Sequence, residues 1–221
     1  MRRIDKTIVL AIKYKEWIYG LAESDSQPEY NSSKGKFYYD IIANLIWIQQ
    51  GLCAYTEYYL QDYRKCGIEN WNNGIFEKFS FAGELDHYNP QLKKAQGWLW
   101  DNLFLIDADV NSKKVKGHTV PLGILKPDNI DFDPHYYLEY DITNHLFLPS
   151  KERTIIDQEH ILHDLKTLGL NWQPTVERRE KYLNEKVNEV RYGVHTYQEA
   201  YNNIYQFFTA FELCKSYMFG K

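Results

Sequence analysis

Two short apolar runs with polar residues at their joints constrain the fold most. Residues 79–86 partly alternate and predict a strand. Residues 103–106, Leu-Phe-Leu-Ile, predict a second, short and buried one. A loop opened by Tyr88-Asn89-Pro90 separates them. Asp107 or Asp109 can cap a short helix running to about residue 116, with Gly117 as its stop. The predicted order is strand, loop, strand, helix. Asp86 and His87 close the first strand, Asn102 opens the second, and Asn111 lies near the start of the helix, with Lys113, Lys114 and His118 beyond.

These residue types suit one kind of chemistry. Hydrolysis of a phosphodiester needs a deprotonated water in line, neutralised phosphoryl oxygens and help for the leaving oxygen. His87 can take the proton, since an imidazole titrates near neutrality. Asp86 can bind Mg²⁺ or Mn²⁺, hard cations that prefer oxygen, and the amide oxygen of Asn111 offers a second ligand. Neighbouring strand residues point to opposite faces, so Asp86 and His87 share a site only where the strand ends or bends. Lys114, three residues after Asn111, would share its helix side and can contact phosphate. Lys113 and His118 are further phosphate contacts, and Glu84 an outer acid or extra ligand. Taken singly, the Asp-His pair reads more often as surface polarity, and an isolated Asn as a turn or strand start. Their order within one short segment is what favours a site.

The rest of the chain sets bounds. Its 221 residues suit one compact domain, divided here into a segment and helix at 1–50, a core at 51–118, and a turn-rich then helical region at 119–221. A hydrophobic fraction of 44% supports a real core. The 19 Tyr and 6 Trp are mostly core material, with base stacking open to a few. A net charge of −4 argues against a surface that grips nucleic acid all over. Five Lys against three Asp between residues 91 and 118 still make a local basic patch, or an ordinary solvated face. Three widely spaced cysteines give no disulfide framework, and with no leader or membrane-length apolar run in view the cytoplasm is the expected compartment.

Residues 23–36 read as an exposed loop. Apolar residues at 38, 41, 42, 45 and 46 predict a helix over 37–50, stopped by Gly51. A short hairpin is expected from 136–140 and 146–148, then helices over 154–168, 174–190 and 196–217. His160 and His163 lie at helical spacing beside Glu159, yet lack a third ligand and read as a polar helix face; His135 reads as a turn residue.

The pattern Asp86-His87, Asn102, Asn111 and Lys114 resembles the HNH endonucleases and their ββα-metal finger. The resemblance implies an α+β fold, with a small ββα-metal core in a mostly helical scaffold. It also implies His87 as general base, Asp86 and Asn111 as ligands of Mg²⁺ or Mn²⁺, and Asn102 as the residue that orients the His-bearing loop. Residues 51–57, Gly-Leu-Cys-Ala-Tyr-Thr-Glu, and 168–171, Leu-Gly-Leu-Asn, followed by Arg178-Arg179, are similar to segments of the retron-associated and Septu antiphage HNH group. That implies a DNA-cutting defence effector, with an SMC- or ABC-type ATPase as partner and no membrane.

Relatives of that group often carry two Cys-x-x-Cys pairs for a structural zinc. The corresponding positions here hold Cys53, Thr56, Asp107 and Val110, which cannot make a tetrahedral thiolate site. No structural zinc is expected, and Cys53 becomes a small core residue. The rival readings are an inactive HNH-like interaction scaffold, and a phosphoesterase acting on RNA or a small nucleotide.

Overall fold

The computed structural model describes residues 1–22, 29–31 and 35–220. Most of the loop expected over 23–36 lies outside the described residues. Among the described residues the architecture is α+β, combining helices with two separate two-stranded sheets.

The chain opens with α1 (Ile12–Ala22), a helix that sequence periodicity did not reveal, and α2 (Tyr38–Ile48). Helix α2 is wholly buried from Asp40 to Ile46. Two of its polar residues are spent on neighbouring backbone. Asn44 Oδ1 accepts from the amides of Leu10 and Ala11 at 2.7 and 3.0 Å, and Asp40 accepts from the Phe76 amide at 2.6 Å. Gly51 ends this segment at φ +73°, where a Cβ would stand 1.9 Å from the Gln61 carbonyl oxygen. Only glycine permits that approach.

The central hairpin pairs β1 (Glu84–His87) antiparallel with β2 (Leu103–Ile106), in the register Asp86 opposite Phe104 and His87 opposite Leu103. The first strand is shorter than the expected 79–86. Gly83, at φ +90°, turns the chain into it, and a Cβ there would lie 2.7 Å from the Ile106 carbonyl oxygen. All four residues of β2 are completely buried. Leu103 and Leu105 face one apolar cluster, while Phe104 and Ile106 face the other. Burying each such side chain stabilises the fold by about 1.5–3 kcal/mol. Gln49 binds the outer edge of β2 through both sides of the Leu105 peptide, at 2.7 and 3.0 Å.

The connection between the strands carries a short helix, α3 (Lys93–Gln96). After β2 the expected helix over 107–116 is replaced by consecutive turns. The cause is local. Asp107 accepts from the Asp109 amide at 3.1 Å, so its side chain competes with helical backbone bonding. Arg178 then draws the carboxylates of Asp107 and Asp109 to itself, at 2.6 and 2.7 Å. The resulting strap, 107–117, crosses one face of β1.

A short helix, α4 (Pro134–Tyr137), leads into the second hairpin, β3 (Leu138–Asp141) with β4 (Leu146–Pro149), close to where the sequence places it. Helices α5 (Ile155–Thr167) and α6 (Gln173–Arg191) also lie where expected. The single helix expected over 196–217 is instead α7 (Tyr197–Asn203), α8 (Phe208–Leu213) and α9 (Lys215–Met218). It breaks at Phe207, φ +55°, whose amide bonds the Glu57 carbonyl at 3.2 Å. The buried Glu57 carboxylate accepts from the Thr209 amide and hydroxyl at 2.8 and 2.7 Å and pairs with the Met1 amine at 3.2 Å. Tertiary contacts to the 51–60 turn therefore override helical continuity. Among the described residues no helix is long and apolar enough to cross a membrane.

Candidate active site

Asn102, at the mouth of the hairpin, closes the loop between the strands. Its Oδ1 accepts from the Asn89 amide at 2.7 Å, and its Nδ2 donates to the Asn89 carbonyl at 3.0 Å. Asn89 in turn accepts from the Gln91 amide at 3.0 Å, and the loop turns back through α3. Gly97, immediately after α3, thereby presents its carbonyl to His87 Nε2 at 2.8 Å. A carbonyl only accepts, so Nε2 carries the proton and Nδ1 the lone pair.

His87 is 3% exposed, and its ring meets the Tyr30 ring edge-on at 4.5 Å. Burial lowers its pKa below the ordinary histidine value. The Gly97 hydrogen bond opposes that shift, and the nearby Lys93 charge adds to it. The imidazole is therefore neutral at pH 7. Lys93 Nζ also lies 5.1 Å from the centroid of the Tyr30 ring.

Asp86 projects to the other face of the hairpin. Its Oδ2 accepts from the Tyr55 hydroxyl at 2.6 Å, and its Oδ1 from Lys116 Nζ at 3.1 Å. Lys116 also donates to the His87 carbonyl at 2.8 Å, and its side chain is wholly buried. Asn111 lies on the Asp86 side of β1, where its Nδ2 donates to Glu84 Oε2 at 2.8 Å. The structure thus gathers Glu84, Asp86, Asn111 and Lys116 on one face and leaves His87 on the other. The convergence of Asp86, His87 and Asn111 expected at the strand end does not occur. Strand alternation persists through His87, because pairing with Leu103 keeps it in the ladder.

Lys113, Lys114 and His118 are exposed. With turns in place of the helix, Asn111 and Lys114 share no helix side. His163 Nδ1 lies 3.4 Å from Asp164, and His135 Nε2 pairs with Glu212 at 3.1 Å.

A divalent ion at Asp86 does not fit this arrangement. Both carboxylate oxygens are engaged, one by an ammonium, and the Asn111 amide is bonded to Glu84. Among the described residues no three His, Cys, Asp or Glu side chains form a metal-holding group. Cys53 is buried, and Val110 joins the same apolar cluster.

Tyr30, Tyr55, Lys93, Gly97 and Lys116 were not singled out by the sequence. Lys93 and Lys116 registered only as local positive charge. Tyr55 lies within the 51–57 segment, and nothing in that pattern pointed to Asp86.

Comparison with known proteins adds no assignment: no protein-family model matches the chain, and no curated protein matches it.

Proposed function

We propose that the chain is an HNH-type phosphodiester hydrolase that cuts DNA, with His87 as its general base. One observation carries the reading. The Asn102–Asn89 clamp and the Gly97 carbonyl fix the His87 ring as the Nε2–H tautomer, which leaves Nδ1 to take a proton from water. This is the role the HNH resemblance implies for His87, and the clamp is the role it implies for Asn102. Lys93 and the adjacent Lys94 supply positive charge for the phosphoryl oxygens on the His87 side. Mg²⁺ or Mn²⁺ at Asp86 and Asn111 belongs to the same resemblance, but the bonding of those two side chains does not fit it.

A place in an antiphage system, with an SMC- or ABC-type ATPase as partner, rests on the segments resembling the Septu group. In this fold those segments form internal braces. Asn171 bonds both sides of the Phe147 peptide at 2.9 and 2.7 Å, and Arg179 donates to the Leu170 and His145 carbonyls at 2.8 and 2.5 Å.

A second reading is an interaction scaffold that retains the finger without its chemistry. The saturated Asp86 carboxylate and the burial of His87 favour it. Incubation with duplex DNA, single-stranded DNA and RNA, each with and without Mn²⁺, separates the readings. The hydrolase reading expects cleavage of duplex DNA. Intact substrates throughout support the scaffold, and cleavage of RNA alone moves the activity to RNA.

A further inference from the structure

We infer that Lys116 is the built-in cation of Asp86, so that this carboxylate ties the hairpin to the strap and does not ligate a divalent ion. The inference rests on the hydrolase reading for its relevance to catalysis, but its geometry stands apart. Lys116 Nζ lies 3.1 Å from Asp86 Oδ1 and 2.8 Å from the His87 carbonyl oxygen. Its side chain is 0% exposed, so these bonds form out of water, where an ammonium persists only if compensated. The Tyr55 hydroxyl engages Oδ2 at 2.6 Å. Asn111 is spent on Glu84, and that pair lies toward the solvent end of the same strand face.

Two physical consequences follow. A dipositive ion bound to Asp86 would stand against a buried ammonium and be repelled by it. It would also need room for the several waters that Mg²⁺ retains, beside a carboxylate that is 4% exposed. The Lys116 bond to the His87 carbonyl gives the ammonium a second task. It ties the backbone at His87, as well as the Asp86 carboxylate, to the strap.

Acylation mapping of the wild-type protein, with and without millimolar Mn²⁺, tests this directly. Lys116 is expected to stay protected in both conditions, while Lys113 and Lys114 are modified. Mn²⁺ affinity measured by electron paramagnetic resonance is expected to agree within about twofold between wild type and Asp86→Asn. Two results overturn the inference: Lys116 becoming acylated once Mn²⁺ is added, or an affinity at least about tenfold lower in Asp86→Asn. If Asp86→Asn does not fold, the mapping on wild type decides alone. These outcomes are separate from the fate of the hydrolase reading. Cleavage dependent on His87, with Mn²⁺ held by Asp86, sinks only the built-in cation. A protected Lys116 in a protein that cuts nothing sinks only the hydrolase.

Discussion

Asn102 holds Asn89 by both of its backbone polar groups, accepting from its amide at 2.7 Å and donating to its carbonyl at 3.0 Å. Twelve residues lie between the two, so a single side chain closes the loop that carries α3 and Gly97. Replacing Asn102 with Ala leaves two partly buried backbone groups without partners. That costs about 1–3 kcal/mol for each group left dry. Urea denaturation is expected to show a lower midpoint at unchanged slope, and DNA cleavage is expected to fall further than the stability loss explains. Full activity in a destabilised Asn102→Ala would separate the clamp from the chemistry.

The lowered pKa of His87 predicts an acid-side signature. Its neutral form is favoured in the folded state, so its stabilising contribution is fully present above the ordinary histidine value near 6.5. That contribution is lost as the pH falls through the lower folded pKa. Stability profiles of wild type and His87→Gln should therefore diverge below about pH 6.5, with wild type losing stability more steeply. Parallel profiles would contradict the burial described here.

Lys6 makes the same argument on the alkaline side. Its Nζ donates to the Trp100 and Leu103 carbonyls at 2.9 and 2.7 Å, and burial lowers its pKa from 10.5 to about 7. The unfolded chain then binds more protons between those values, so this residue's contribution rises with pH across about 7–10.5 and is lost as the pH falls through 7. The difference in unfolding free energy between wild type and Lys6→Met should follow that slope; a flat difference contradicts it.

Arg179 is fully buried, donating to the Leu170 and His145 carbonyls and stacking 4.7 Å from the Phe147 ring centroid. Arg179→Ala removes both donors and opens a cavity, and is expected to cost about 3–5 kcal/mol, enough to unfold a marginal protein. Arg179→Lys reaches one carbonyl at a time and is expected to recover only part of that. Thermal unfolding of the two variants checks the order; equal melting temperatures would contradict it.

What the sequence revealed follows the range of the forces involved. Helices α2, α5 and α6 are written in local periodicity and caps, such as Thr154 accepting from the Asp157 amide at 3.1 Å, and they lie where expected. Strand β2 is legible because all its residues are apolar. The break at Phe207 is not, because Glu57 causes it from far away in the sequence. The turns over 107–117 are illegible for the same reason, since Arg178 organises Asp107 and Asp109. In the candidate site, Asn102 was singled out by the sequence, while its partner Asn89 was not. The separation of Asp86 from His87 was implicit in strand alternation, and the expectation that the strand would end there concealed it. The Lys116 contact with Asp86 depends on the strap's three-dimensional course, which no local pattern encodes.

The central claim is that His87 takes the proton from the attacking water, and plasmid nicking by wild type against His87→Ala tests it most directly. With both proteins shown to be folded by circular dichroism, wild type is expected to convert supercoiled DNA to nicked and linear forms, and the variant to lose that activity by at least about a hundredfold. Undiminished nicking by folded His87→Ala would contradict the account.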